Sequence, residues 1–370
     1  MTPKPPPVTI LTSGVGLGVY IPALLIQRQL LKRQCPTTVE VLERYYTPAQ
    51  RTAHLAHRRA FQEDFALAQL AHRMVRDVQE SLDSEGIRLL LEGWLNERRV
   101  DFIVWSGFWL PVIERYRQLS GGAALHVDHC RIDAEISASF RIYPELVSCG
   151  NAVWLWNWAQ RKIIHEIPVM EEEAIPFCNR EDRLIVHGGG WGIGTYQSRI
   201  PELQSTRYSL SVVVHDVPEA GRRVGDRYFM LNPSWETWTV DADGEHEFPP
   251  MGELAGPSFV KLGPDRDVHA LHHIIRTSKA VISKPGGCTL IDSLASATPL
   301  VFLEPYGYAE ESNAKIWELL GFGISYAAWR DTGYDTEVLE RLHMNIVSRA
   351  QRGVDYPRAI LERNLQGVGE

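Results

Sequence analysis

Residues 280–323 read AVISKPGGCTLIDSLASATPLVFLEPYGYAEESNAKIWELLGFG, and they restrict the fold more than any other part of the chain. The apolar run 280–283 is too short for a helix and enters Lys284-Pro285-Gly286-Gly287 directly. A helix is predicted over 288–297, a second apolar strand over 299–303 and a further helix over 313–320. Strand, turn, helix and strand in this order require a crossover connection, and therefore a parallel sheet covered by helices. The two glycines let main chain approach a ligand closely, and the helix start offers unpaired N–H groups at a positive dipole end. A diphosphate is the natural occupant, although an ordinary capped strand–turn–helix would carry the same turn. Asp292, one turn into the helix, is spaced to accept hydrogen bonds from ribose hydroxyls. Glu310, Glu311 and Asn313 form a polar group at a loop-to-helix junction, suited to several hydroxyls of one small ligand.

The first half of the chain repeats the alternation. Strands are predicted at 8–12, 39–42, 101–105 and 125–128, and helices at 22–32, 49–82 and 87–98. Trp154, Trp156 and Trp158 alternate, which would set three indoles on one strand face, either as packed core or as an acceptor wall. The charged stretch 170–183 contains Pro176 and suits a linker. A second unit then begins, with strands at 184–187, 211–215, 228–231 and 259–262 ahead of the segment described first, and a glycine run at 188–194. The expected organisation is therefore two doubly wound α/β domains, 1–169 and 184–345, joined by 170–183. A helical tail, 346–370, returns to the first domain.

A length of 370 residues accommodates two domains, and 44% apolar with 23% charged residues excludes general disorder. The net charge of −8 provides no overall positive field for nucleic acid. Five scattered cysteines without a Cys-x-x-Cys pair fit reduced thiols in a cytoplasm, not a disulfide frame or zinc site. Residues 5–27 lack any charge and are long enough to cross a bilayer, but Gly14, Gly16, Gly18 and Pro22 interrupt them. A strand, turn and helix are expected there. The chain also lacks the basic start of a signal peptide, so a cytoplasmic protein is expected.

Residues Ser283, Lys284, Pro285, Gly286, Gly287, Thr289, Asp292, Glu310, Asn313 and Ala314 follow one another in an order that resembles the C-terminal half of GT-B glycosyltransferases. The branch is the one containing the lipid-II N-acetylglucosaminyltransferase, diacylglycerol glucosyltransferases and monogalactosyldiacylglycerol synthases. The resemblance implies two Rossmann-like domains facing across a cleft, and transfer of a sugar from a nucleotide-diphosphate donor, by preference a UDP-sugar. It implies that Gly286, Gly287 and Thr289 hold the diphosphate and Asp292 the ribose, in place of the commoner Glu. Glu310 and Asn313 would face the sugar or its phosphate, and the base would lie against main chain at Val260 and Leu262. The loop Gly14-Val15-Gly16-Leu17-Gly18 resembles the N-terminal loop of the branch, with Gly16 and Gly18 across the cleft from the donor. Gly189 and Gly190 resemble the first loop of the donor domain.

The chain departs from the family where many members carry a basic His just after the N-terminal glycine loop, because Val19 stands there. Asp128, in His126-Val127-Asp128-His129 at the end of a predicted cleft-facing strand, is the candidate base, with His129 as partner or substitute. A strand-end Asp capping a turn is the competing reading. His187 either reaches a donor phosphate or is a structural histidine. Adjacent His272 and His273 diverge on a helix and make no chelate, so neither metal nor cofactor is expected, in keeping with the metal-independent habit of the fold. Inverting single displacement onto a small-molecule or lipid hydroxyl is expected. The basic patch over residues 51–59 suits either peripheral contact with an anionic inner membrane face or a plain solvated helix. A catalytically silent partner protein that binds a sugar nucleotide is the alternative suggested by Val19. A sugar-nucleotide 2-epimerase is disfavoured by the Lys284–Gly287 loop. Oligomeric state is left open.

Overall fold

The computed structural model describes residues 7–221, 223–255, 258–263, 266–350 and 352–367. The chain's first six residues, read above for a signal peptide, and the last three of the expected tail lie outside them. The first sheet contains β1 (Val8–Thr12), β2 (Thr37–Val41), β3 (Asp101–Val104), β4 (His126–Arg131) and β5 (Asn151–Trp154). Its order is β2-β1-β3-β4-β5, and every pairing is parallel. β1 is buried at all five positions, as a central strand covered on both faces must be. The uncharged stretch resolves into β1 and the helix Leu17–Lys32, whose Tyr20, Ala23, Leu24 and Ile26 are fully buried. Among the described residues, no helix is long and apolar enough to cross a membrane.

Two short pairings follow. β6 (Trp156–Asn157) and β7 (Lys162–Ile163) form a hairpin, and β8 (His165–Glu166) later pairs with the chain's end. The expected single tryptophan face does not form. The strand breaks at the fully buried Leu155, so Trp156 turns into the core against Trp317, with ring centroids 5.2 Å apart, while Trp154 and Trp158 are half-buried.

The second sheet holds β9 (Glu181–Val186), β10 (Ser209–Val214), β11 (Arg227–Leu231), β12 (Met251–Ala255), β13 (Ser258–Lys261), β14 (Ser278–Ser283), β15 (Leu300–Phe302) and β16 (Gly323–Ser325). Its order is β13-β12-β11-β10-β9-β14-β15-β16. The six strands other than β12 and β13 run parallel, whereas β12 and β13 close one edge antiparallel. β12 was not foreseen, because Gly252 interrupts its pattern; a side chain at that glycine would strike the Phe259 ring.

β17 (Val354–Asp355) pairs with β8 and leads into the helix Tyr356–Gly367, which lies on the first sheet's domain. Tyr356 Oη and Arg363 Nη1 both donate to Asp128 Oδ2 at 2.8 Å, and Arg363 Nη2 donates to Asp101 Oδ1 at 2.9 Å. This corrects the expectation for Asp128. β4 runs on through Cys130 and Arg131 because strands flank it on both sides, so Asp128 sits in mid-strand, 3% exposed, and anchors the tail. Burial opposes its charge, but His126, Arg363 and Tyr356 outweigh that and hold its pKa at about 2. His129 is also buried, with its ring against Gly150 and Phe140, and burial pulls its pKa down to about 4. Both side chains are thus buried.

Candidate active site

Four loops meet where the carboxyl ends of the central strands face one another: 13–16 after β1, 132–134 after β4, 187–190 after β9 and 284–287 after β14. In open α/β sheets this edge is where ligands bind. Lys284 runs between two glycine turns. Its Nζ donates to Glu310 Oε1 at 2.6 Å and lies 5.4 Å from the Tyr306 ring centre. A side chain at Gly189, whose φ is +77°, would come within 3.3 Å of the Lys284 stem, and one at Gly286 within 3.4 Å of the ammonium. Glu310 is completed by the Tyr306 amide, 2.7 Å from Oε2. Both Glu310 and Asn313 sit inside the helix Tyr308–Leu320, which starts earlier than the sequence indicated.

Several expected ligand contacts are taken by protein groups. Asn313 is fully buried. Its Oδ1 accepts from the Ala134 amide at 2.7 Å, and its Nδ2 donates to Asp133 Oδ1 at 2.8 Å and to Pro285 O at 2.9 Å. It therefore bolts the loop after β4 to the loop after β14, with both Nδ2 hydrogens engaged and the side chain wholly buried. Gly287 is required because any side chain there would strike Ile132 of the first domain, and its amide donates to the Asp133 carboxylate. Gly190 packs against Leu17, while Trp191 Nε1 donates to Gly14 O at 3.0 Å, so this turn is a domain contact. Gly16 and Gly18 both border open space, and Thr289 is buried in the first turn of the helix Gly287–Ser296.

Asp292 is 2% exposed. Its Oδ1 accepts from His269 Nε2 at 2.9 Å and His272 Nδ1 at 2.8 Å, so both imidazoles already hold the oxygen expected to meet a ribose. Burial works against its charge, but His269 and His272 prevail and hold it well below the usual carboxylate range. His187 is neutral, pulled by burial to a pKa of about 4, and its Nδ1 accepts from the Gly189 amide at 3.1 Å. Of the expected base-binding pair, Leu262 lines a cavity of about 250 Å³ together with Arg28, Phe248, Met251 and Val268. Val260 on edge strand β13 is half exposed and does not line it.

Two carboxylates escaped the sequence reading. Glu43, fully buried, accepts from Ser13 Oγ and the Gly14 amide, each at 2.6 Å, and fills the N-terminal glycine loop. Asp133 follows β4 at the cleft end of the sheet, five residues beyond the Asp that was singled out. Burial, with Glu310 nearby, raises its pKa to about 6 against the pull of Asn313 and Lys284. The only signal for Asp133 was its place just after a strand.

No protein-family model matches the sequence, and no curated protein matches it. Solved structures do. Acinetobacter baumannii MurG is 12% identical, over 97% of this chain and 99% of its own, with a TM-score of 0.51. The glycosyltransferase SnogD from Streptomyces nogalater is 12% identical over 98% of this chain and 99% of its own, with a TM-score of 0.53. The spinosyn rhamnosyltransferase SpnG complexed with thymidine diphosphate is 12% identical over 97% of this chain and 100% of its own, with a TM-score of 0.50. At such identity the likeness speaks for architecture: the chain has the GT-B fold, two Rossmann-like domains facing across a cleft.

Proposed function

We propose that this chain is a glycosyltransferase that takes a sugar from a nucleotide-diphosphate donor, by preference a UDP-sugar, and transfers it with inversion to a hydroxyl of a small-molecule or lipid acceptor. The observation that carries the reading is Lys284, held by Glu310 between the glycine turns 187–190 and 284–287 at the carboxyl edge of the second sheet. An ammonium beside a helix start would form an anion site for a departing diphosphate, a role that needs no bridging metal ion. The structural relatives support the donor class, since they are glycosyltransferases and one of them is complexed with thymidine diphosphate.

In this reading the incoming diphosphate displaces the Asp133 carboxylate from the Gly287 amide. Asp133 then faces the acceptor as general base, in place of Asp128 and His129. A group with a pKa of about 6 is ionised near neutrality and still basic enough to take a proton in the transition state.

Calorimetry with UDP, TDP and their sugar derivatives tests the donor site. Lys284→Met, with folding followed by circular dichroism, is expected to weaken binding by about 10–100-fold, the value of a charge-assisted hydrogen bond. Undiminished affinity in that variant would remove the donor assignment. Donor bound without transfer of labelled sugar to any acceptor would instead favour a silent binding protein, and an epimerised nucleotide would indicate an isomerase.

A further inference from the structure

Behind the 284–287 turn, two packed helices bring four metal-ligating side chains together. His269 caps the start of the helix Ala270–Thr277, and His272 lies three residues on, on the same face. Cys288 and Asp292 are four residues apart on the helix Gly287–Ser296, again sharing a face. One ligand atom each of His269, Cys288 and Asp292 lies within 4.8 Å of the other two. We propose that this cluster is a zinc site, with imidazole, thiolate and carboxylate as the three protein ligands and His272 as the outer partner that fixes Asp292. The site goes beyond sugar transfer and does not depend on it, because it lies under the turn and does not use Lys284.

The geometry is close to what zinc requires. Bonds of roughly 2.0–2.3 Å in a tetrahedral arrangement set ligand atoms about 3.2–3.7 Å apart. His269 Nε2 and Asp292 Oδ1, at 2.9 Å, need to part by only a few tenths of an ångström, and the 4.8 Å limit on the others calls for a modest contraction. The ligand types are those zinc prefers, and three of them leave its fourth position to water. The ionised Asp292 carboxylate, flanked by two imidazoles, offers a divalent cation an anionic oxygen in a buried setting. His272, donating to Asp292 at 2.8 Å, makes the kind of outer contact that orients a metal-bound carboxylate. Bound zinc would tie the Gly287 helix to the Ala270 helix and set the position of the turn above them.

Full-length protein, purified without chelator, is expected to carry about one zinc per chain by elemental analysis, with a thiolate-to-cobalt charge-transfer band after cobalt substitution. Cys288→Ser should abolish the band and His269→Gln the stoichiometric zinc. His272→Gln should weaken zinc by about 10–100-fold against a chromophoric chelator while still binding it. Loss of a ligand can also unfold a protein, so cobalt titration of the chelator-stripped wild type, followed by circular dichroism, provides a readout without any substitution. A stripped, folded wild type that takes up neither zinc nor cobalt overturns the proposal. Metal that persists unchanged in Cys288→Ser does so too.

Discussion

Asp133→Asn is expected to lower turnover by about 10²–10⁴-fold, the contribution of a positioned general base, while leaving the fold and donor affinity intact. The substitution keeps size and the hydrogen bond from Asn313 Nδ2, now 2.8 Å from Oδ1, but removes the charge that competes with a diphosphate for the Gly287 amide. Donor binding should therefore be unchanged or tighter. The pH dependence separates a base from a structural carboxylate. Wild-type turnover should rise as pH passes about 6, where Asp133 loses its proton, and this limb should vanish in the variant. Stability should run the other way. The folded pKa is raised above the unfolded carboxylate value, so the stabilisation linked to this group is complete below about pH 4 and is lost as pH rises through about 6. Near pH 7 the variant should therefore melt at or above the wild-type temperature. Full turnover in Asp133→Asn with an unshifted pH profile would exclude Asp133 as the base.

The architecture was legible where apolar runs and glycines coincide. Residues 280–323 announce β14, its turn, the following helix and β15, because each element is strongly patterned and short-range chemistry punctuates it. Glu310 stands out as a polar group within that pattern, whereas Lys284 reads there only as part of the turn. What could not be read were partners that arrive from far along the chain. Asn313 looks like a ligand-binding side chain until Ala134, 179 residues away, takes its oxygen. Asp128 looks like a strand end because His129, Cys130 and Arg131 are unusual in a buried strand, and only the neighbours β3 and β5 make the extension possible. Likewise, Cys288 and Asp292 share a visible helical spacing, and so do His269 and His272. That the two helices pack face to face is a tertiary fact, which no cysteine count could reveal.

Asp128→Ala, by contrast, should damage stability and leave the chemistry of folded molecules near wild type. Removing one partner of a buried ion pair leaves the other uncompensated, at about 3–5 kcal/mol. Here Arg363 keeps Asp101 as a second acceptor, which argues for the lower end, while the buried Tyr356 hydroxyl loses its carboxylate acceptor. Denaturant unfolding should show the loss. Arg363→Met combined with Asp128→Ala in a double-mutant cycle should show that the two effects are coupled and not additive. The native pKa of about 2 lies below the unfolded value, so this carboxylate's stabilisation, roughly 2 kcal/mol, is complete above about pH 4 and is lost as pH falls through about 2. Acid should thus release the tail helix from the first domain at a pH where Asp133 is already protonated and silent. The two aspartates, five residues apart, should therefore separate: turnover should follow the Asp133 titration near pH 6, and attachment of the tail should fail as Asp128 is protonated near pH 2. An Asp128→Ala protein with normal unfolding energetics and no turnover would reverse these assignments.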